Sequence, residues 1–383
     1  MTSVDESEIH QDLGGSMRTT PLRVAVWSTG GIGSIAIRAI HRRPDLELVG
    51  VWVYTPEKVG RDAGELANGE PIGLAVTDDA DALLDLHPDC IVYAASGPER
   101  DAASVPDYVR FLEAGINVVS TSSTRLIYPP GFDPTWREQL AAAAKAGGAS
   151  LYVSGIEPGF VLDQLPLVLA TQSSSIRSIH GYEIGLYDDY PVAFVMMDGM
   201  GFGRPLDFEP LIATPGAVTH EWAGGIRLMA DALGVELQEL RESVDRLPTH
   251  RTLEVACGTL EAGTCGAVRT RAIGVVDGRE AIIIEHVTRM AHDVAPDWPT
   301  GEYGVTYRVE IEGEPNIRCE MGCSLADAAK AGIRGMVAGA GAMVATAMRV
   351  VNAIPYVVAA DPGLLSSLDL PLTLPRHAFD VSR

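Results

Sequence analysis

Two stretches of this sequence hold residue types whose spacing could support chemistry. The first is Ser28-Thr29-Gly30-Gly31-Ile32-Gly33. It fits the glycine-rich pattern G-x-G-x-x-G with serine in place of the first glycine. In such a turn Gly30 lets backbone approach a pyrophosphate, and Gly33 lets the following helix pack closely on its strand. The helix start then offers unpaired N–H groups and the positive end of its dipole to the phosphates. The alternative is an ordinary tight strand–helix turn. The second stretch, later in the chain, supplies proton-carrying groups. Glu157 follows a short apolar run, where a carboxyl can be desolvated and raised in pKa; a turn residue or ion-pair partner is the plainer reading. His286 shares the face of Ile282, Ile284, Thr288 and Met290 on an alternating strand, where a histidine also serves simply as a satisfied core residue. Tyr187, Asp188, Asp189 and Tyr190 cluster on an expected loop; Tyr190 is a further candidate for catalysis and Asp189 for substrate binding, against a plain solvated acidic loop.

The elements around the glycine turn suit its use. Val24-Ala25-Val26-Trp27 is a continuous apolar run, as a strand buried on both faces requires. Ile32, Ile35, Ala36, Ala39 and Ile40 then recur on one helical face, and Pro44 closes the segment. Leu46 to Tyr54 reads as a second strand. Cys90 to Ala95, Ile116 to Ser120 and Leu151 to Val153 read as further buried strands. Between them lie a helix over 106–114, closed by Gly115, and one capped by Asp133-Pro134 that ends at Gly147-Gly148. Such alternation predicts an α/β fold, a Rossmann-type doubly wound parallel sheet.

After about residue 156 the pattern changes. Ala272–Val276 and Ala281–Met290 flank Asp277-Gly278, a strong hairpin signal, and Tyr303–Ile311 continues it. Helices are expected near 222–233 and 334–353. The second domain is therefore expected to be α+β, built on a mostly antiparallel sheet. The organisation that follows is a disordered tail at 1–20, a dinucleotide-binding domain at 21–155, a substrate and oligomerisation domain at 156–333, and a C-terminal helix and tail at 334–383.

A cofactor's ribose end should meet the end of the second strand. An Asp or Glu there marks NAD, but Val53-Tyr54-Thr55-Pro56 holds no acid. Thr55 and Lys58 could instead receive a 2′-phosphate, so NADP(H) is the expected cofactor, with NAD(H) the alternative and a solvated Lys58 the plainer reading. At the carboxyl edge of the sheet the loops Ser96-Gly97-Pro98 and Ser120-Thr121-Ser122-Ser123 carry small hydroxyl groups. Ser96, Gly97, Ser120 and Thr121 suit contacts to the cofactor and Ser122 to the substrate, unless they only form turns.

Composition narrows the partners. The 383 residues exceed what one core usually serves, so two domains are expected. With 29 basic and 51 acidic residues the net charge is −22, which disfavours phosphate backbones and anionic lipid. No uninterrupted apolar run reaches the roughly 18 residues that span a bilayer, and the polar N-terminus does not read as a signal peptide. A cytoplasmic protein is expected, with a small-molecule substrate, a second copy in a homodimer, and neither nucleic acid nor membrane as partner. Five cysteines without short paired spacings predict reduced thiols, and no His/Cys/carboxylate set has metal-ligand spacing, so no metal is expected.

Further segments resemble a known group. Thr55-Pro56-Glu57-Lys58-Val59-Gly60-Arg61-Asp62-Ala63-Gly64-Glu65, Gly115 to Ser120, Ser154-Gly155-Ile156-Glu157-Pro158-Gly159-Phe160, and Arg349 to Pro355 with Asp361-Pro362-Gly363-Leu364 are similar to dihydrodipicolinate-reductase-like oxidoreductases, among them 2,4-diaminopentanoate dehydrogenase and the native amine dehydrogenases. The resemblance spans about 22–372. It implies NAD(P)H-dependent reduction of C=N or C=O, a second domain that completes the site, and a C-terminal helix that returns to the first domain. It also implies that Phe160 lines the substrate pocket, although a plain core aromatic would look the same. Two features depart from the group. Where amine dehydrogenases carry a catalytic glutamate, this chain has Ser122-Ser123-Thr124-Arg125. The His-His-x-x-Lys stretch of dihydrodipicolinate reductase has no counterpart, since the lysines are Lys58, Lys145 and Lys330. A non-catalytic nucleotide-binding sensor is therefore the alternative to an enzyme, and Glu157, His286 or Tyr190 would have to replace the missing acid.

Overall fold

Strand β1 (Leu22–Trp27) is buried at five of its six positions, so it needs cover on both faces and on both edges. The computed structural model describes residues 20–95, 100–328, 332–333 and 339–379 and shows how that cover is supplied. β1 leads into α1 (Gly31–His41) and β2 (Leu46–Trp52), then α2 (Ala63–Leu66), α3 (Ala80–Leu84), β3 (Cys90–Tyr93), α4 (Arg100–Glu113), β4 (Asn117–Ser120), α5 (Pro134–Gly147) and β5 (Leu151–Val153). The strands lie parallel in the order β2-β1-β3-β4-β5. The order reverses between β1 and β3, the switch point at which such sheets bind ligands. This is the Rossmann-type sheet expected from the alternation.

Local chemistry explains most element ends. The Asp133 carboxylate caps α5 by accepting from Trp136 N, and Gly148 closes it in the left-handed region at φ 68°. Helix α4 differs from expectation. It begins at Arg100 and carries Pro106 inside. Proline removes one backbone bond, but the face bearing Val105, Tyr108, Phe111 and Leu112 is fully buried, and that burial keeps the helix whole.

The second sheet is built from β6 (Ser175–Leu186), α7 (Ala217–Ala232, after α6 at Gln164–Ala170), β7 (Glu239–Pro248), the small pair β8 (Leu253–Val255) and β9 (Gly258–Leu260), β10 (Cys265–Val276), β11 (Arg279–Arg289), β12 (Val305–Glu314) and β13 (Ile317–Gly322). Its order is β13-β12-β6-β11-β10-β7, with β6 and β11 parallel and every other pair antiparallel. The β10–β11 hairpin turns at Asp277 and Gly278, both at positive φ, as its Asp-Gly signal requires. α7 packs on the inner face of this sheet and shares a core with Ile179, Ile282, Ile284 and Val309.

The last elements are α8 (Ala340–Ala359) and β14 (Leu364–Leu365). β14 adds a sixth parallel strand beside β5, which the sequence reading did not foresee. α8 is long and apolar enough to cross a membrane by length and composition. Here its Val350, Val351, Ala353, Ile354 and Val357 are buried against α1 and the parallel sheet. The expected tail at 1–20 falls almost wholly outside the described residues, as do Ser96, Gly97 and positions 334–338 of the expected C-terminal helix.

Candidate active site

The glycine turn is built for close approach. Ser28 stands at φ 95°, a left-handed value that explains why related turns use glycine there. Gly30 is the extended N-cap of α1, with no side-chain cap and no acid in the first turn. The first helical bond runs from Ser34 N to Gly30 O at 2.8 Å, so the N–H groups of Gly31, Ile32 and Gly33 precede the helix's own ladder. A Cβ at Gly33 would strike the Ser28 carbonyl, whereas one at Gly30 would meet nothing nearer than Ser28 Oγ at 3.7 Å. Gly33 thus serves packing and Gly30 leaves open space. Ile32 joins Met343 of α8 in a small apolar cluster beside the turn. Lys58 Nζ donates to Thr29 Oγ1 at 3.0 Å, which puts a cation against the turn. Thr55 is exposed and caps the short turn Pro56–Lys58.

At the carboxyl edge the hydroxyl loop is differently employed from the sequence reading. Ser120 is fully buried, shares a 2.7 Å hydrogen bond with Tyr108, and accepts from Ser122 N. Ser122 is buried and donates to the Ala95 carbonyl. Ser104 and Ser123 hydroxyls bond each other at 2.5 Å. The Ser120 and Ser122 hydroxyls thus hold the loop through bonds inside the protein. Thr121 keeps partial exposure.

Two of the three proton carriers named from the sequence, Glu157 and His286, come together, and Glu183 joins them. β6 and β11 pair in parallel with His286 in register with Glu183, so both side chains face inward. His286 Nε2 lies 3.2 Å from Glu183 Oε1, and its Nδ1 is 2.9 Å from Thr288 Oγ1. Glu157 arrives from the turn after β5, where Phe160 N bonds back to the Gly155 carbonyl. One oxygen each from Glu157 and Glu183 and one nitrogen of His286 lie within 4.8 Å of one another. The Trp222 indole N–H donates to Glu157, and the Tyr187 hydroxyl donates to Glu183. The Trp222 and Tyr187 rings flank His286 at 5.7 and 6.1 Å between centroids.

This arrangement divides the labour between the carboxyls. Burial, and then the charge of Glu183, push the Glu157 carboxyl well above the usual range. Burial works against the charge of Glu183 too. There the His286 ring, through charge and hydrogen bond, and the Tyr187 hydroxyl outweigh it and hold the carboxyl below its ordinary value. Glu157 thus keeps a proton while Glu183 stays ionised beside it, the pairing of one acid and one base that proton transfer needs. Burial, with Glu183 nearby, drives the Tyr187 and Tyr307 phenols upward, so both remain neutral donors.

The other named residues sit further out. Tyr190 packs on the Tyr187 ring at 5.9 Å, one aromatic layer behind the cluster, and Asp189 is half-buried in the turn between them. Phe160 lies under the Arg349 guanidinium at 5.1 Å. That guanidinium also donates to Tyr152 Oη, Gln164 Oε1 and Thr373 Oγ1, each at 3.1 Å, and ties α8 to the seam between the sheets. Sequence reasoning missed Glu183, Trp222 and Tyr307. For Glu183 the available signal was its alternation with Ile179 and Gly181 along β6, but only the pairing of β6 with β11 sets it beside His286.

Known proteins match this architecture along most of its length. Residues 160–379 match the family described as the 2,4-diaminopentanoate dehydrogenase C-terminal domain, and residues 22–101 match the dihydrodipicolinate reductase N-terminus. An amine dehydrogenase of Streptomyces virginiae is 40% identical over 355 residues, 92% of this chain and 96% of that protein. A 2,4-diaminopentanoate dehydrogenase of Acetoanaerobium sticklandii is 24% identical over 92% of this chain and 94% of its own length. The solved amine dehydrogenase of Mycobacterium smegmatis superposes with a TM-score of 0.74 at 22% identity, covering 94% of this chain and 99% of that one, which shows a shared fold.

Proposed function

The chain belongs to the family of the 2,4-diaminopentanoate and amine dehydrogenases, and from that membership we propose that it interconverts an amine lacking a carboxylate with its carbonyl compound, with Glu157 carrying the reacting proton. As a family member it is an NAD(P)-dependent oxidoreductase that moves hydride to or from a C=N or C=O group. The observation that carries the proposal is the convergence of Glu157, Glu183 and His286 on one inward face.

In the reductive direction ammonia adds to the carbonyl carbon to give a carbinolamine. Glu157 gives its proton to the carbinol oxygen, which leaves as water, and a bound nicotinamide would supply the hydride that the iminium carbon needs. The sum consumes one carbonyl, one ammonia, one proton and one reduced cofactor. Glu183, ionised and held by Tyr187, favours the cationic iminium as it forms. Ser122-Ser123-Thr124-Arg125 holds no carboxylate where the family resemblance implies a catalytic glutamate, and on this reading Glu157 takes that role.

The substrate class follows from charge. The two charged neighbours that act on Glu157, Glu183 and Glu221, are both acids. No lysine lies between 146 and 329, and the Arg349 guanidinium is engaged by Tyr152, Gln164 and Thr373. A substrate carboxylate beside two buried acids would be repelled, whereas an amine is attracted. For the cofactor we favour NADPH, because Lys58 stands against the turn and strand β2 ends without an acid. Glu157→Gln should lower turnover of a simple ketone with ammonia by about 10²–10⁴ while leaving NADPH affinity near wild type. Unchanged turnover would remove Glu157 from the mechanism, and preference for a keto acid over the matching ketone would overturn the substrate class.

A further inference from the structure

The three groups at the seam also have the makeup of a metal-ion site. Two are carboxylates and one is an imidazole, the ligand set that zinc accepts at ~2.0–2.2 Å from each donor. Ligands around such an ion stand about 3.3–3.5 Å apart. The His286 Nε2 to Glu183 Oε1 distance is already 3.2 Å, and all three donor atoms fall within 4.8 Å of one another. Metal binding displaces the proton of Glu157, and the charge of the two carboxylates then matches a divalent cation.

The surroundings fit as well. Metal-bound histidines usually have their second ring nitrogen fixed by a hydrogen bond, and Thr288 Oγ1 provides one to His286 Nδ1 at 2.9 Å. The carboxylates are likewise held from outside, by Trp222 and Tyr187. Independently, Thr270 lies directly across the β10–β11 ladder from His286 on the same face. Its hydroxyl is buried, at 1% exposure, and has no hydrogen-bond partner. A buried hydroxyl left unpaired is costly, and an ion with its bound water would satisfy it. Magnesium and calcium suit the set poorly, since both prefer six or more oxygen ligands over imidazole.

We propose that Glu157, Glu183 and His286 reversibly bind one zinc ion, with Thr270 beside its open coordination position, and that zinc so held blocks hydride transfer by occupying the proton-carrying groups. Zinc is then an inhibitor that chelation removes, not a resident cofactor. The site needs neither substrate nor nicotinamide to form.

The test uses the full chain without cofactor or substrate, so its outcome is independent of the amine reading. Zn2+ is titrated in competition with a chromophoric chelator, and Co2+ is added separately to read coordination from its visible absorption. One zinc per chain is expected, with binding lost in Glu183→Gln and His286→Gln and weakened about 10- to 100-fold in Thr288→Val. Mg2+ should not compete. Glu285→Gln is the control, because Glu285 neighbours His286 in sequence but faces the other side of the sheet, where it meets His180 at 3.1 Å. Zinc binding that survives in the Glu183→Gln/His286→Gln pair, or that disappears in Glu285→Gln, overturns the proposal. Should those variants fold poorly, Glu157→Gln and Thr288→Val decide it: unchanged zinc affinity in both is equally fatal.

Discussion

Glu183 Oε1 stands 3.2 Å from His286 Nε2 across a parallel strand pair, while Glu157 reaches the same point from the turn that follows β5. The protonated carboxyl therefore comes from the turn that follows β5, and the second sheet supplies the ionised one with its imidazole.

The glycine turn offers a paired test. Gly30→Val should leave the fold intact, since its Cβ meets no protein atom closer than 3.7 Å, yet weaken cofactor binding strongly by filling the space before the helix N-terminus. Gly33→Ala should do the reverse and cost stability, because its Cβ meets the Ser28 carbonyl. Thermal melts and cofactor titration by intrinsic fluorescence separate the two. If both variants lose only affinity, or both only stability, the division of roles is wrong.

Lys58 donates to Thr29 on the turn, and the proposed preference for NADPH has it meet the phosphate on the adenosine ribose. A charge-assisted hydrogen bond of that kind is worth about 1.5–3 kcal/mol. Lys58→Glu should then reduce the ratio of NADPH to NADH affinity by roughly 10- to 100-fold. A ratio that does not move makes Lys58 a bystander.

Features specified within a few residues were legible in the sequence. The glycine turn, the Asp133 cap with its Gly148 stop, and the Asp277-Gly278 hairpin each rest on local backbone chemistry. Glu157 and His286 were legible as candidates because a polar group among apolar neighbours stands out in a strand or at its end. What joins them was not. Glu183 meets His286 through the register of β6 against β11, strands separated by α7 and four intervening strands. The bonds of Ser120 and Ser122 were not legible either: a small hydroxyl reads alike in sequence whatever it faces, and here the two meet Tyr108 and the Ala95 carbonyl. Pro106 misplaced a helix start because burial of the α4 face outweighed one lost backbone bond.

Asp163 gives a stability prediction with a definite sign. It is buried, and burial, partly offset by Arg349 and the Gln164 N–H, raises its pKa to about 6 from 3.8. A carboxyl with a raised folded pKa favours the fold when protonated. That contribution is fully present below about pH 4 and is lost as pH rises through about 6. The difference amounts to roughly 3 kcal/mol. Asp163→Asn should therefore gain stability relative to wild type between pH 4 and pH 7, read as urea midpoints across that range. Parallel curves for the two proteins would rule the linkage out.

Gly185 and Tyr187 are coupled in the same way. Tyr187 folds back over its own strand, and a Cβ at Gly185 would run into its ring. That fold-back carries the hydroxyl to Glu183, which helps keep Glu183 ionised next to protonated Glu157. Tyr187→Phe removes one hydrogen bond to a charged group, about 1.5–3 kcal/mol, so turnover should fall by roughly 10- to 100-fold with His286 still in place. Gly185→Ala should produce a loss of similar size without touching any polar atom, by pushing the ring away. Because both substitutions break one contact, the double variant should be little worse than either single one. Losses that multiply in the double variant would show that Gly185 does not act through Tyr187.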